Sequence, residues 1–465
     1  MEMIILVVFI LGYLAITLEH SLKIDKLVPA LLMMALAWAL VAFGIDGFGT
    51  WFDSHHSALM EGQTLHDGTI LANFAAEEHE GRLHIMEGTL LHHFGKTCEI
   101  LIFLVGAMTI VEIIDHFDGF STIKRFIRTN KKRTLLWIVC ALGFVLSAII
   151  DNLTATIVLI TILRKLIDDK KLRIWYAGMI IIAANAGGAW SPIGDVTTTM
   201  LWMNEKVTTV KLIEYLILPS LVCMIVPTLI ASYMPAFRGT FEKPEEEGEQ
   251  NKRGPLMLYL GLGMIVFVPI FKTVTHLPPY VGMMLSLSIV ALVAELISAR
   301  QFSMTNVEAQ EGDQAGHHSS PTFGALSKIE MPSILFFLGI LMTVAALESL
   351  GMIFTFGQDV QNSMDNNIFV MLLGAGSAVI DNVPLVAASM GMFDVNNPEY
   401  AMDSHVWHFI AYAAGTGGSM LIIGSAAGVV AMGMEKISFF WYLKNIAWLA
   451  LVGYVAGAAV FLLLP

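Results

Sequence analysis

Ser-Ala-Ile-Ile-Asp-Asn-Leu-Thr at 147–154 reads as an apolar arm ending in an acid–amide pair, and it returns as Ser-Ala-Val-Ile-Asp-Asn-Val-Pro at 377–384, 230 positions later. Thirty-six residues after each aspartate, a Gly-Gly pair opens a second matching block. Gly187, Gly188, Ile193 and Gly194 fall without a gap on Gly417, Gly418, Ile423 and Gly424. One polar unit duplicated at one offset, inside apolar surroundings, implies two equivalent half-sites. In a membrane protein that pattern points to a carrier whose substrate sits between the halves.

Composition agrees with a membrane setting. Of 465 residues, 56% are hydrophobic and 14% charged, and mean hydropathy is +0.70. A soluble domain holds about a quarter charged residues, so the chain reads as an all-α polytopic membrane protein. A net charge of -13 and a pI near 5.5 argue against nucleic acid as a partner. Cys98, Cys140 and Cys223 stand alone in apolar stretches and imply neither disulfides nor a metal site. The first apolar run lacks a basic leader and a small-residue cleavage site, so it reads as a span rather than a signal peptide.

Runs long enough for an apolar layer of about 30 Å lie at 3–18, 27–45, 97–115, 173–202 and 211–234, then at 255–271, 278–298, 331–350, 405–434 and 437–464. Two further segments, 134–163 and 368–391, are each interrupted by the Asp-Asn pair. The first has basic flanks on both sides, from Lys124 to Arg133 and from Arg164 to Arg173, so both ends are expected in the cytoplasm. A segment with both ends on one side is re-entrant. Its arms of about 14 residues, rising 1.5 Å each, stop part-way through the bilayer. No Lys or Arg occurs between Lys328 and Lys436, so the second hairpin is expected to enter from the periplasmic face. The expected fold is an inverted repeat, each half holding five transmembrane helices plus one re-entrant hairpin, with broken helices at the midplane. Its parts are a first repeat at 1–235, a cytoplasmic linker at 236–254 and a second repeat at 255–465. Both termini are expected on the periplasmic side.

The midplane chemistry is oxygen-rich. Gly187, Gly188 and Pro192 interrupt one span, and Gly415, Gly417, Gly418 and Gly424 another. Broken backbone is tolerated at depth only where it is buried or lines a cavity. A small alkali cation wants carboxylate, carbonyl and hydroxyl oxygens. Asp151, Asn152 and Thr154 supply one hairpin tip, and Ser377, Asp381 and Asn382 belong to the other. Asn185, Ser191, Asp195, Thr197 and Thr198 line the first broken span, and Thr416, Ser419 and Ser425 the second. A carboxylate in low dielectric is costly to leave charged and alone. Na⁺ or a proton relieves that cost, and each excludes the other, which is the logic of exchange. Na⁺ is expected at Asp151, Asn152, Asp195, Asp381 and Asn382. The competing readings are helix caps for the Asp-Asn pairs, packing surfaces for the glycines and backbone bonding for the hydroxyls. Glu112, Asp115 and Glu348 sit toward span ends and read as interfacial. Seven histidines, His55, His56, His66, His79, His84, His92 and His93, fall in a hydrophilic loop expected at 46–96, with no zinc spacing.

At these blocks the chain resembles the NhaD-type sodium/proton antiporters of the ion-transporter superfamily. The residues that carry it are 147–154, Asn-Ala-Gly-Gly-Ala-Trp-Ser-Pro-Ile-Gly-Asp-Val-Thr-Thr at 185–198, and 377–384. The likeness runs from about residue 97 to the C-terminus. It implies a homodimer in the lipid of a bacterial inner membrane, exchanging Na⁺ or Li⁺ for H⁺ in sodium and alkali tolerance. It also implies a hairpin bundle that moves against a fixed scaffold. Dicarboxylate carriers of the superfamily show Ser where this chain has Asp at both tips, and Pro384 stands where the first tip has Thr154. The rival readings are an anion carrier of the same fold, for arsenite or dicarboxylates, and a non-transporting membrane subunit. No Arg or Lys falls inside either motif block to favour an anion. No nucleophile, cofactor or phosphate-binding signature suggests an enzyme.

Overall fold

In lipid every backbone amide must find its partner within the chain, which leaves the helix as the solution for so apolar a sequence. In the computed structural model, residues 1–17, 22–53, 58–62, 71–124, 127, 129–241, 252–305, 320–393 and 397–464 are described. His55, His56, His66 and most of the expected linker lie outside them. Among the described residues, six helices are long and apolar enough to cross a membrane: His79–His116, Lys132–Ile150, Thr209–Ser232, Gly254–Thr275, Pro279–Ala299 and Met331–Ser349. The pair Phe439–Asn445 and Ala447–Leu463, bent by 51°, makes a seventh if it acts as one span. Glu2–Thr17 and Leu27–Phe43 are shorter apolar helices. The strands described are two residues long, Phe52–Asp53 against Ala58–Leu59. The protein is therefore all-α and polytopic. Leu256, Val266, Ile270 and Val274 of one helix and Leu292 and Leu296 of the next are exposed, an apolar surface suited to lipid.

Two elements differ from expectation. The helix His79–His116 has 38 residues and begins 18 positions before the expected span, so His79, His84, His92 and His93 are helical rather than in a loop. Hydropathy marks the apolar layer, and Glu80, Arg82, Glu87 and Lys96 hid the part of the helix that continues beyond it. Arg82 fastens the preceding segment to this helix by donating to the carbonyls of Asp46, Phe48 and Ala75. The arms of the first hairpin are also longer than the expected 14 residues: Lys132–Ile150 has 19 and Asn152–Leu166 has 15. The second hairpin is shorter, Asn366–Ser377 and Asn382–Met390.

The broken spans lie at the centre. Lys170–Gly188 with Val196–Met203, and His405–Gly417 with Ala426–Glu435, are each a helix, a break and a helix. Every residue from Tyr176 to Gly188 is buried, and so is every residue from Val406 to Gly417. A helix apolar all round is buried all round. The sequence offset of 230 is also an offset in contacts. Ser147 donates to the Ala184 carbonyl at 2.6 Å, and Ser377 to the Ala414 carbonyl at 2.8 Å. A side chain on Gly187 would collide with the Phe144 carbonyl, and one on Gly417 with that of Gly374. These two glycines let hairpin and broken span approach backbone to backbone. A buried acid ties the halves together. Glu435, 2% exposed, receives Arg164 Nε at 2.7 Å and Arg173 Nε at 3.2 Å.

Candidate ion-binding site

Asp195 is the hub. It caps the helix Val196–Met203, Oδ1 accepting from the Thr197 amide and the Thr197 hydroxyl, each at 3.0 Å. Its other oxygen points across the molecule, where Asn152 Nδ2 donates at 2.7 Å and Asn382 Nδ2 at 3.3 Å. The two asparagines come from the two hairpin tips, so both repeats converge on one carboxylate that is 3% exposed. Asn152 also donates to Asn185 Oδ1 at 3.0 Å, and Asn185 Nδ2 donates to Ser425 Oγ at 3.0 Å. Ser425 holds the position in the second half that Asp195 holds in the first and likewise caps its helix. The network is asymmetric because only one of these two caps is an acid.

The other two acids approach without joining this network. Asp151 joins the arms of its hairpin at φ +74°, a backbone conformation that costs a non-glycine residue about 1–3 kcal/mol. Both its oxygens are taken by Thr154, the amide at 2.8 Å and the hydroxyl at 3.0 Å. Asp381 accepts weakly from the Val383 amide at 3.3 Å. The capping reading is thus part of the truth for each aspartate, yet all three acids line one cavity of about 70 Å³. That volume suits an ion with a few waters.

The hydroxyls divide. Thr154, Thr197 and Ser425 serve the acids or their network. Thr198 bonds the Asp195 carbonyl at 2.9 Å, Thr416 the Tyr412 carbonyl at 2.6 Å and Ser419 the Thr416 carbonyl at 2.7 Å. Ser377 pins two helices together, and Ser191 Oγ accepts from the Ile193 amide at 3.4 Å. These five stabilise the breaks and do not reach the carboxylates. Sequence reasoning missed Lys26, whose ammonium lies 3.5 Å from Asp381 Oδ2. It precedes the helix Leu27–Phe43, far from any motif, so nothing local marks it.

Two larger cavities flank the site. One of about 540 Å³ is lined by Glu112, Asp115, Lys124, Thr154, Lys165 and Lys328, and shares Met108 and Leu153 with the site cavity. The other, of about 510 Å³, is lined by His92, His93, Lys96, Glu205, Lys206 and Glu348. None of its described lining residues belongs to the site cavity. Glu112, Asp115 and Glu348 line these two cavities near the C-terminal ends of their helices. Among the described residues no group of three His, Cys, Asp or Glu side chains is placed to hold a metal.

Comparison with known proteins fits this geometry. A citrate transporter family profile matches residues 4–407. Sodium/proton antiporter 1 of Arabidopsis thaliana is 39% identical over 462 residues, covering 98% of this chain and 71% of that protein. Sodium/proton antiporter 2 of the same plant is 36% identical over 460 residues, 98% and 97% of the two chains. The Na(+)/H(+) antiporter NhaD of Vibrio parahaemolyticus is 30% identical over 393 residues, 81% of this chain and 92% of NhaD. This chain belongs to the NhaD-type sodium/proton antiporter family. Its members named here are transporters, and the similarity to the plant antiporters extends over the first two helices, beyond the stretch from residue 97 that the motifs mark.

Proposed function

We propose that this NhaD-type chain exchanges Na⁺ or Li⁺ for H⁺ across a membrane, the ion and the proton competing for Asp195 with Asp151 and Asp381 beside it. The observation that carries the reading is the convergence of Asn152 and Asn382, one from each hairpin, on a single buried carboxylate. Here the amide nitrogens face Asp195 and hold its charged form. A cation takes over that task, and each asparagine turned about χ2 then presents its oxygen as a ligand. A proton on Asp195 removes the charge instead. Either ligand satisfies the site, both together do not, and exchange follows.

The family and its relatives' names support Na⁺ and H⁺ as cargo. The citrate transporter description of the wider family raises an anion as the second reading. Lys26 is the one cation lining the described site cavity, and its charge is already set against Asp381. Three acids against one lysine leave the cavity net negative, which favours a cation.

The finer architecture belongs to the same proposal. Five crossings and a re-entrant hairpin per half place the halves in opposite orientations, at 1–235 and 255–465, joined through 236–254. On this reading the basic flanks of the first hairpin favour a cytoplasmic side for the cavity lined by Lys124 and Lys165. Both termini then lie on the opposite face, and the chain works as a homodimer in a bacterial inner membrane whose hairpin bundle moves. The purified protein in liposomes with a pH-sensitive dye tests the exchange. Adding Na⁺ moves protons against choline controls. A response to citrate or succinate but not to Na⁺ refutes the reading.

A further inference from the structure

Lys26 belongs to no motif. Yet its ammonium sits 3.5 Å from Asp381 Oδ2 and 4.4 Å from the centroid of the Phe336 ring. The lysine side chain is 23% exposed and that of Asp381 17%. Both line the cavity that Asp151 and Asp195 also line.

An ammonium on a flexible four-carbon stem is a compact single positive charge, chemically close to a monovalent cation and unlike the rigid guanidinium fork. Among the described residues Asp381 has one weak amide donor besides it, and the lysine is its main source of compensation there. The same ammonium also lies over the Phe336 ring, within the ~6 Å at which an aromatic face attracts a cation, so both contacts are made from one position. A charge held by a ring as well as by a carboxylate of the ion cavity keeps a partner when another cation takes that carboxylate.

We propose that Lys26 is a tethered competitor for the transported cation. It occupies Asp381 when no ion is bound and gives up that carboxylate, keeping the Phe336 ring, when Na⁺ arrives. This rests on the antiport reading above and extends it. Lys26 is a positioning residue in this scheme, acting through Asp381.

Two measurements on the full-length protein test it. In the first, Lys26 is modified by a membrane-permeant amine reagent and followed by mass spectrometry, in Na⁺ and in choline. Na⁺ is expected to speed its modification severalfold. In Asp381→Asn the rate should be high and indifferent to Na⁺. Equal rates in Na⁺ and choline for the unmodified sequence would overturn the tether, even with exchange intact. In the second, Lys26→Gln in liposomes is expected to lower the half-saturating Na⁺ concentration about fivefold, equivalent to ~1 kcal/mol of lost competition. Lys26→Arg, which keeps the charge, should show no such fall. A rise in that concentration for Lys26→Gln, or the same value for both variants, also overturns the proposal. If Na⁺ drives no proton movement at all, the antiport reading fails. The labelling result then still decides whether a cation displaces Lys26.

Discussion

Replacing Asp195 by Asn changes one atom and should empty the site of its function. Four donors now converge on the carboxylate: the Thr197 amide and hydroxyl at 3.0 Å, Asn152 Nδ2 at 2.7 Å and Asn382 Nδ2 at 3.3 Å. An amide at this position can offer its oxygen to Thr197 or to the two asparagines, but not to both. Whichever way it turns, its own NH₂ faces donors. Each buried donor left without a partner costs about 1–3 kcal/mol. Asn152 can flip to accept, but it then turns its oxygen toward Asn185 Oδ1 and moves the conflict one residue along. The variant should therefore lose roughly 2 kcal/mol of stability. Ion binding suffers more. Losing the charged partner of a buried pair costs about 3–5 kcal/mol, so Na⁺ affinity should fall by at least ~100-fold. Thermal unfolding in detergent separates the two effects. Saturating Na⁺ stabilises the native sequence by mass action, by about 2.7 kcal/mol at a hundred times Kd. That Na⁺-dependent shift in Tm should vanish in Asp195→Asn, along with Na⁺-driven proton movement in liposomes. A variant that keeps the Tm shift, with half-saturating Na⁺ within about threefold of the original, would refute the placement of the ion at Asp195.

Two further outcomes follow from the fold. Gly187→Ala or Gly417→Ala drives a methyl into the carbonyl of Phe144 or Gly374, overpacking that costs about 1–3 kcal/mol. Both should lower Tm by similar amounts, whereas Gly433→Ala, with open space around it, should not. Lys206 lies in the loop between Val196–Met203 and Thr209–Ser232, over the Trp407 ring. Burial lowers its ammonium from the ordinary 10.5 to about 8, with Glu348 opposing the shift. The folded chain sheds this proton before the unfolded one, so its contribution to stability rises as pH climbs from about 8 to 10.5. Lys206→Met should flatten that rise in unfolding curves measured across the same window.

The membrane class, the duplicated blocks and the three acids were legible in the sequence because each is a local pattern. Apolar runs report lipid contact directly, and an internal repeat announces itself by its offset. Hydropathy went astray in the helix His79–His116, whose first half is too polar to register although the backbone ladder continues through it. The partners of the hydroxyls were not legible for a related reason. Thr198, Thr416 and Ser419 have the right chemistry, but a helix carbonyl three or four residues back is always within reach of such side chains. Only coordinates tell which oxygen they serve.

Composition and spacing by themselves determined that this is a polytopic helical protein built on a repeated polar unit, because burial and periodicity act over a few neighbouring residues. Tertiary packing alone decided that Asn152 and Asn382 meet at Asp195 and that Lys26 reaches Asp381. Those partners stand up to 355 positions apart in the chain. Which side chains share a cavity depends on how close two backbones can come, and at Gly187 and Gly417 that distance is set by the absence of a single carbon.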